Sequence, residues 1–78
     1  MNDLAVDRHG NVLVADYGNN RVVLLSPSLT LLGYITVPGH RLSEPHALHL
    51  DLLTRRLYIG EWSLTGTGRV FVLGVDDS

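Results

Sequence analysis

The chain has 78 residues, a formal net charge of −2, no cysteine, and arginine as its only strongly basic residue type. A single domain is the most this length holds, and it buries only about 60% of the surface its unfolded form exposes. Disulfides and thiolate metal sites are excluded, as is a general electrostatic pull on nucleic acid or anionic membrane.

At 45% hydrophobic residues the composition is globular. No apolar run approaches the ~18 residues of a membrane-spanning helix. Met1-Asn2-Asp3 opens without a basic region or an apolar leader, so the expected setting is intracellular and cytoplasmic, with no membrane partner.

The hydrophobic pattern has the period of strands. Short runs rich in Val, Leu, Ile and Tyr alternate with Gly, Pro, Asn, Asp and Ser clusters. In chain order the predicted strands are 4–6, 12–15, 21–25, 29–37, 47–50, 57–59 and 69–75. The connections 7–11, 16–20 and 26–28 are too short for parallel crossovers, which need a dozen residues or more. They predict an up-and-down antiparallel meander. "VLVA", "VVLL", "LYIG" and "VFVL" are apolar on both sides of the alternation, which predicts strands covered on both faces.

The first half of the chain echoes in the second. "LAVDRHGNVLVADYGNNRVVLL" lies over "LHLDLLTRRLYIGEWSLTGTGRVFVL" with Asp7 on Asp51, Asp16 on Glu61 and Arg21 on Arg69. The offsets are 44, 45 and 48, so the extra residues fall in loops. Four strands in a unit of this length are the mark of a propeller blade.

Ala5-Val6-Asp7, Gly10-Asn11, Val14-Ala15-Asp16 and Gly18-Asn19-Asn20-Arg21 resemble the NHL repeat, whose pattern they follow step by step. The second unit is looser, with Glu61 for the acid and no Asn before Arg69, but it keeps Asp51, "RLYIGEW" and "GRVFVL". The resemblance implies an all-β partial propeller. Residues 3–37 form a four-stranded blade, 38–46 an inter-blade loop, and 47–75 a three-stranded blade lacking its outermost strand. An acidic stub follows at 76–78. NHL propellers are usually six-bladed and the second blade lacks its outermost strand, so the chain is expected to be the C-terminal part of a larger propeller or a shortened product. Uncovered blade faces and open edges are expected to make an isolated copy unstable as a monomer. Three copies closing a ring, or missing blades, are the expected remedies.

The polar knot from Asp16 to Arg21 brings acid, phenol and arginine together. Its residues also account for a turn: Asp16 and Asn20 bond locally, Gly18 is expected to supply a positive φ, and Asp16 pairs with Arg21. Recurrence of the pair as Glu61 and Arg69 favours a structural device over a catalytic one. Asp7, Gly10 and Asp51 read as turn formers in the same way. His46 and His49, three apart on a strand, point to opposite faces and cannot share an ion. His9 and His40 belong to loops at opposite ends. Ser63, Thr65 and Thr67 lack a nucleophile elbow, and "GTG" at 66–68 opens no helix. No catalytic residue, metal site or cofactor is predicted.

In a meander, loops 16–20, 38–46 and 62–68 share one end. That end carries the candidate partner surface: Tyr17, Arg41 and Trp62, beside His40, Glu44 and Leu64. Tyr and Trp are the residues of binding hot spots. The other end carries a basic cluster of Arg8, Arg55 and Arg56. The family implies a recognition platform for a protein, or for RNA, in chains that include tripartite-motif ubiquitin ligases. RNA-binding members use a basic surface at the end of the Tyr17-type loops; here the arginines cluster at the other end. The alternatives are a metal-dependent lyase- or lactonase-like propeller, to which the inner strands bring His49 and little else, and a purely structural blade pair that self-assembles.

Overall fold

A computed structural model describes residues 3–64, 66 and 68–75. The leader reading at Met1 and Asn2, the stub at 76–78, and Thr65 and Thr67 lie outside the described residues. Two antiparallel sheets account for the fold. The first has β1 (Leu4–Val6), β2 (Val12–Asp16), β3 (Arg21–Leu25) and β4 (Leu31–Ile35), in that spatial order. The second has β5 (Pro45–Asp51), β6 (Arg56–Glu61) and β7 (Val70–Gly74), again in chain order. The only helical element among the described residues is one 3-10 turn, Tyr17–Asn19. No described helix is long and apolar enough to cross a membrane.

Five strands depart from their predicted bounds, β2, β6 and β7 by one or two residues at their ends and β4 and β5 for identifiable reasons. β4 starts at Leu31 because Leu29 takes a left-handed φ of 65°. That residue completes a turn in which the Ser26 carbonyl accepts from Leu29 N–H (2.8 Å) and Ser26 Oγ accepts from Thr30 N–H (3.0 Å). β4 ends at Ile35; Val37 makes only an isolated bridge to His40 across a tight turn. β5 starts earlier than predicted, at Pro45, which pairs with Glu61, and His46 lies where the register shifts. A proline is tolerated there because the first position of an edge strand need not donate.

The expectation of strands covered on both faces is corrected. Each sheet buries one face against the other and leaves the second outside, because two sheets share only one mutual interface. The register puts Leu13, Ala15, Val22 and Leu24 on one face of the first sheet. It puts Leu48, Ile59 and Phe71, with Leu50, Leu57 and Leu73, on one face of the second. These faces form the core, and Ala15, Val22 and Ile59 are completely buried. Burying a Val or Ile side chain such as Val22 or Ile59 stabilises by about 1.5–3 kcal/mol. The linker adds Val37 and Leu42, which roof the core at the loop end.

Two side chains tie one sheet to the other. Asp3 Oδ2 accepts from Leu48 N–H (2.8 Å), while Asp3 Oδ1 accepts from Leu4 N–H (3.0 Å). Asn20 Oδ1 accepts from Glu44 N–H (2.9 Å). These bonds fix how the inner strands and the loop ends line up.

Candidate recognition surface at the loop end

The loop between β2 and β3 is built on Asp16. Its Oδ2 accepts from Asn19 Nδ2 (2.9 Å) and from Arg21 Nε (3.2 Å). Asp16 and Arg21 are also cross-strand neighbours, so the pair closes the base of the loop. Arg21 reaches further, donating from Nη1 to Tyr34 Oη (3.3 Å) with its guanidinium 4.9 Å from the Tyr34 ring. The left-handed residue of this loop is Asn20, at φ 55°, and not Gly18 as expected from sequence. Gly18 sits inside the 3-10 turn, where no positive φ is required. Asparagine tolerates the left-handed region because its short amide bonds locally; here the amide reaches Glu44 instead.

The corresponding loop of the second sheet uses a longer acid. Glu61 Oε1 accepts from Arg69 Nε (2.7 Å) and Oε2 from Ser43 N–H (2.6 Å), with the Glu61 side chain 96% withdrawn from solvent (4% exposed). Arg69 also donates to the Arg41 carbonyl (3.2 Å) and lies over the Phe71 ring. His40 packs on the other partner of that contact, its ring 5.3 Å from Phe71.

Immediately after each acid comes an aromatic residue. Tyr17 is 41% exposed and Trp62 51% exposed. Tyr17 meets His46 edge-on at 6.0 Å between ring centroids, and its carbonyl accepts from Asn20 N–H. Trp62 N–H donates to the Glu44 carbonyl (3.3 Å). Arg41 is exposed in the linker, in a groove with Tyr34 and His40, and Leu64 stands 89% exposed. The loop end is therefore a polar frame with apolar groups standing out from it.

At the opposite end Asp7 organises a turn. Its Oδ1 accepts from His9 N–H (2.8 Å) and Asn11 N–H (2.9 Å), its Oδ2 from Asn11 Nδ2 (3.0 Å), and Gly10 sits at φ 84°. Partial burial pushes the Asp7 carboxyl up, but the bonds from Asn11 and His9 outweigh it and hold the group below the usual carboxylate range. Asp51 is the simpler version: N–H groups of Thr54 and Leu53 hold its carboxyl below that range. Arg8, Arg55 and Arg56 are exposed at this end, Arg55 in a left-handed turn position.

The histidines do not converge. His46 lies against Tyr17, and His49 against Tyr58 on the outer face of the second sheet. Among the described residues no three His, Asp or Glu side chains are grouped to hold a metal ion. Between β4 and β7 the sheets diverge into an open cleft of about 740 Å³, lined by Leu24, Ile35, Leu73 and Val75, whose polar rim at Asp7 and Asn11 is engaged in the turn. Sequence reading missed Asp3 and Ser43 altogether. Their partners lie 45 and 18 positions away, beyond any local pattern. The exchange of Asp for Glu at position 61 was the one visible signal that this acid reaches further.

Residues 2–23 match the family model of the NHL repeat. No curated protein matches the chain at a significant level. The matched segment spans β1, β2, the Asp16 loop and the start of β3. The chain thus carries an NHL repeat, with a second antiparallel sheet of the same strand order stacked on it.

Proposed function

We propose that this NHL-bearing pair of sheets is a non-catalytic recognition module that binds a protein partner through Tyr17, Arg41 and Trp62. One observation carries the reading: two aromatic side chains occupy the same position of the two repeats, each about half exposed and each directly after an acid locked to an arginine. A rigid frame that presents Tyr and Trp loses little side-chain entropy when a partner covers them. In a longer polypeptide with a ubiquitin-ligase module, such a surface would select what is modified.

The opposite end, with Arg8, Arg55 and Arg56, is the place where RNA would make salt-sensitive contacts. It lies away from the aromatics, so the two readings separate by mutation. Pull-downs with the wild-type chain and with the Tyr17→Ala/Trp62→Ala variant test the proposal, alongside a labelled single-stranded oligoribonucleotide in a salt series. Specific protein capture lost by the variant, at unchanged sheet circular dichroism, is expected. Capture that survives the double substitution, or oligonucleotide binding lost only when the three arginines are replaced, overturns it.

A further inference from the structure

The linker between the sheets carries one side chain that no structural duty absorbs. Glu44 takes a left-handed φ of 47°, a backbone that glycine would hold without strain. Both of its main-chain groups are fixed. The N–H donates to Asn20 Oδ1 (2.9 Å) in the loop of the first sheet, and the carbonyl accepts from Trp62 N–H (3.3 Å) in the loop of the second. The backbone is thus pinned between the two loop ends. The carboxylate is exposed and has no hydrogen-bond or ionic partner among the described residues.

Glu44 and Trp62 line one pocket of about 350 Å³, with Glu61, Leu64 and Arg69 in its wall. The linker and the loop after β6 supply that wall, so the pocket is built by this chain alone. Its charges do not cancel. Glu61 and Arg69 neutralise one another through their 2.7 Å pair, and Arg69 also donates to the Arg41 carbonyl. Glu44 is left over as a net negative charge. The Trp62 side chain, 51% exposed, adds the electron-rich face of an indole. An indole and an unpaired carboxylate in one concavity select a cation. A guanidinium suits them best, because it stacks on an aromatic face and offers a planar fork to a carboxylate. Leu64, 89% exposed, gives apolar surface to the methylene stem.

We propose that this pocket receives an arginine side chain of the protein partner, held between Trp62 and Glu44. The proposal rests on the reading of this end as a recognition module and gives the partner a chemistry: a basic residue meets the Trp62 loop. Arg41 stands in a different groove, with Tyr34 and His40, and leaves the pocket negative. A phosphate backbone carries the wrong charge for it.

Trp62 is the chain's only tryptophan, so its indole N–H resonance reports on the pocket directly. The full chain is titrated with N-acetyl-arginine amide, and with the citrulline and glutamate analogues, at constant ionic strength. Arginine should shift the resonance saturably, with a dissociation constant on the order of 10 mM. Citrulline, similar in shape and uncharged, should bind roughly fivefold more weakly or worse. Glu44→Gln should weaken arginine by a similar factor, roughly fivefold. That variant keeps the main-chain bonds to Asn20 and Trp62, so resonances outside the pocket should stay in place. No shift, equal binding of arginine and citrulline, preference for glutamate, or arginine binding unchanged by Glu44→Gln overturns the proposal. The comparison of arginine with citrulline on the wild-type chain decides even if the variant fails to fold. The pull-down fails separately. Capture lost in Tyr17→Ala/Trp62→Ala without any arginine preference strikes the pocket and leaves the module. Arginine binding beside capture that survives the double substitution strikes the module, and with it the assignment of the pocket to a partner.

Discussion

The two acid–arginine pairs sit at the same strand ends of the two sheets and do different work. Asp16 and Arg21 are a local device, 22% and 44% exposed, that closes one loop with help from Asn19. The Glu61 side chain is withdrawn from solvent, 4% exposed, and joins three separate segments: its own strand end, Arg69 just before β7, and Ser43 in the linker between the sheets. One added methylene turns a loop clasp into a tie for the linker that roofs the core. Repeats thus conserve a pair while changing its duty.

Removing each acid sets the two duties against one another. Glu61→Ala strips the acceptor from Ser43 N–H and from Arg69, and should cost about 1.5–3 kcal/mol, the range for charged hydrogen bonds. Asp16→Ala acts at a solvated pair and should cost about 1 kcal/mol or less. Glu61→Asp sharpens the contrast: the shorter acid cannot bridge Ser43 and Arg69 together, so it should recover only part of the loss. Chemical denaturation of the variants supplies the numbers. Equal costs for Asp16→Ala and Glu61→Ala would break the comparison.

Much of the frame was legible because it is local. Strand positions, antiparallel order and the recurring acids follow from period-two patterns and turn residues within a few positions of one another. β4 and β5 were misplaced at their ends, where a left-handed Leu29 and the bulge at His46 overrode the apolar run. The fastenings Asp3 and Ser43 were illegible because tertiary stacking alone brings their partners near. Gly18 was misread because glycine in a turn suggests a positive φ, whereas a 3-10 turn leaves that task to Asn20.

The same misreading supplies a second test, of smaller size. Gly10 stands at φ 84°, and a Cβ there would lie 3.3 Å from Pro27 Cγ. Gly10→Ala should therefore cost about 1 kcal/mol or somewhat more, from backbone strain and crowding together. A Cβ at Gly18 would meet nothing within 4 Å and no positive φ opposes it. Gly18→Ala should be neutral or stabilising by about 0.4–1 kcal/mol, through the unfolded chain. Thermal melts of the two variants should move in opposite directions or differ plainly in size. A Gly18→Ala loss as large as that of Gly10→Ala would put the left-handed duty back on Gly18.

The smallest contrast lies between the two aspartate turns. Both carboxyls are held below the usual range, so each favours folding above an unfolded value of about 4 and loses that contribution as pH falls through the folded value. The geometry separates them. Asp7 uses both oxygens, and in Asp7→Asn the amide NH₂ would face the Asn11 NH₂, so about 1 kcal/mol should go. Asp51 accepts both of its backbone bonds on Oδ1 alone, and asparagine keeps that oxygen. Asp51→Asn keeps both bonds on a weaker, neutral acceptor, so it should lose less neutral-pH stability than Asp7→Asn while removing its share of the acid-side slope. Asp7→Asn should lower stability at neutral pH and flatten the fall below pH 4, since the group that protonates is gone. Denaturation midpoints from pH 7 down to about pH 3 read both effects. Matching curves for the two variants would mean that Asp7 gains nothing from Asn11, and that the NHL-matched turn and its looser counterpart are held by the same two backbone bonds.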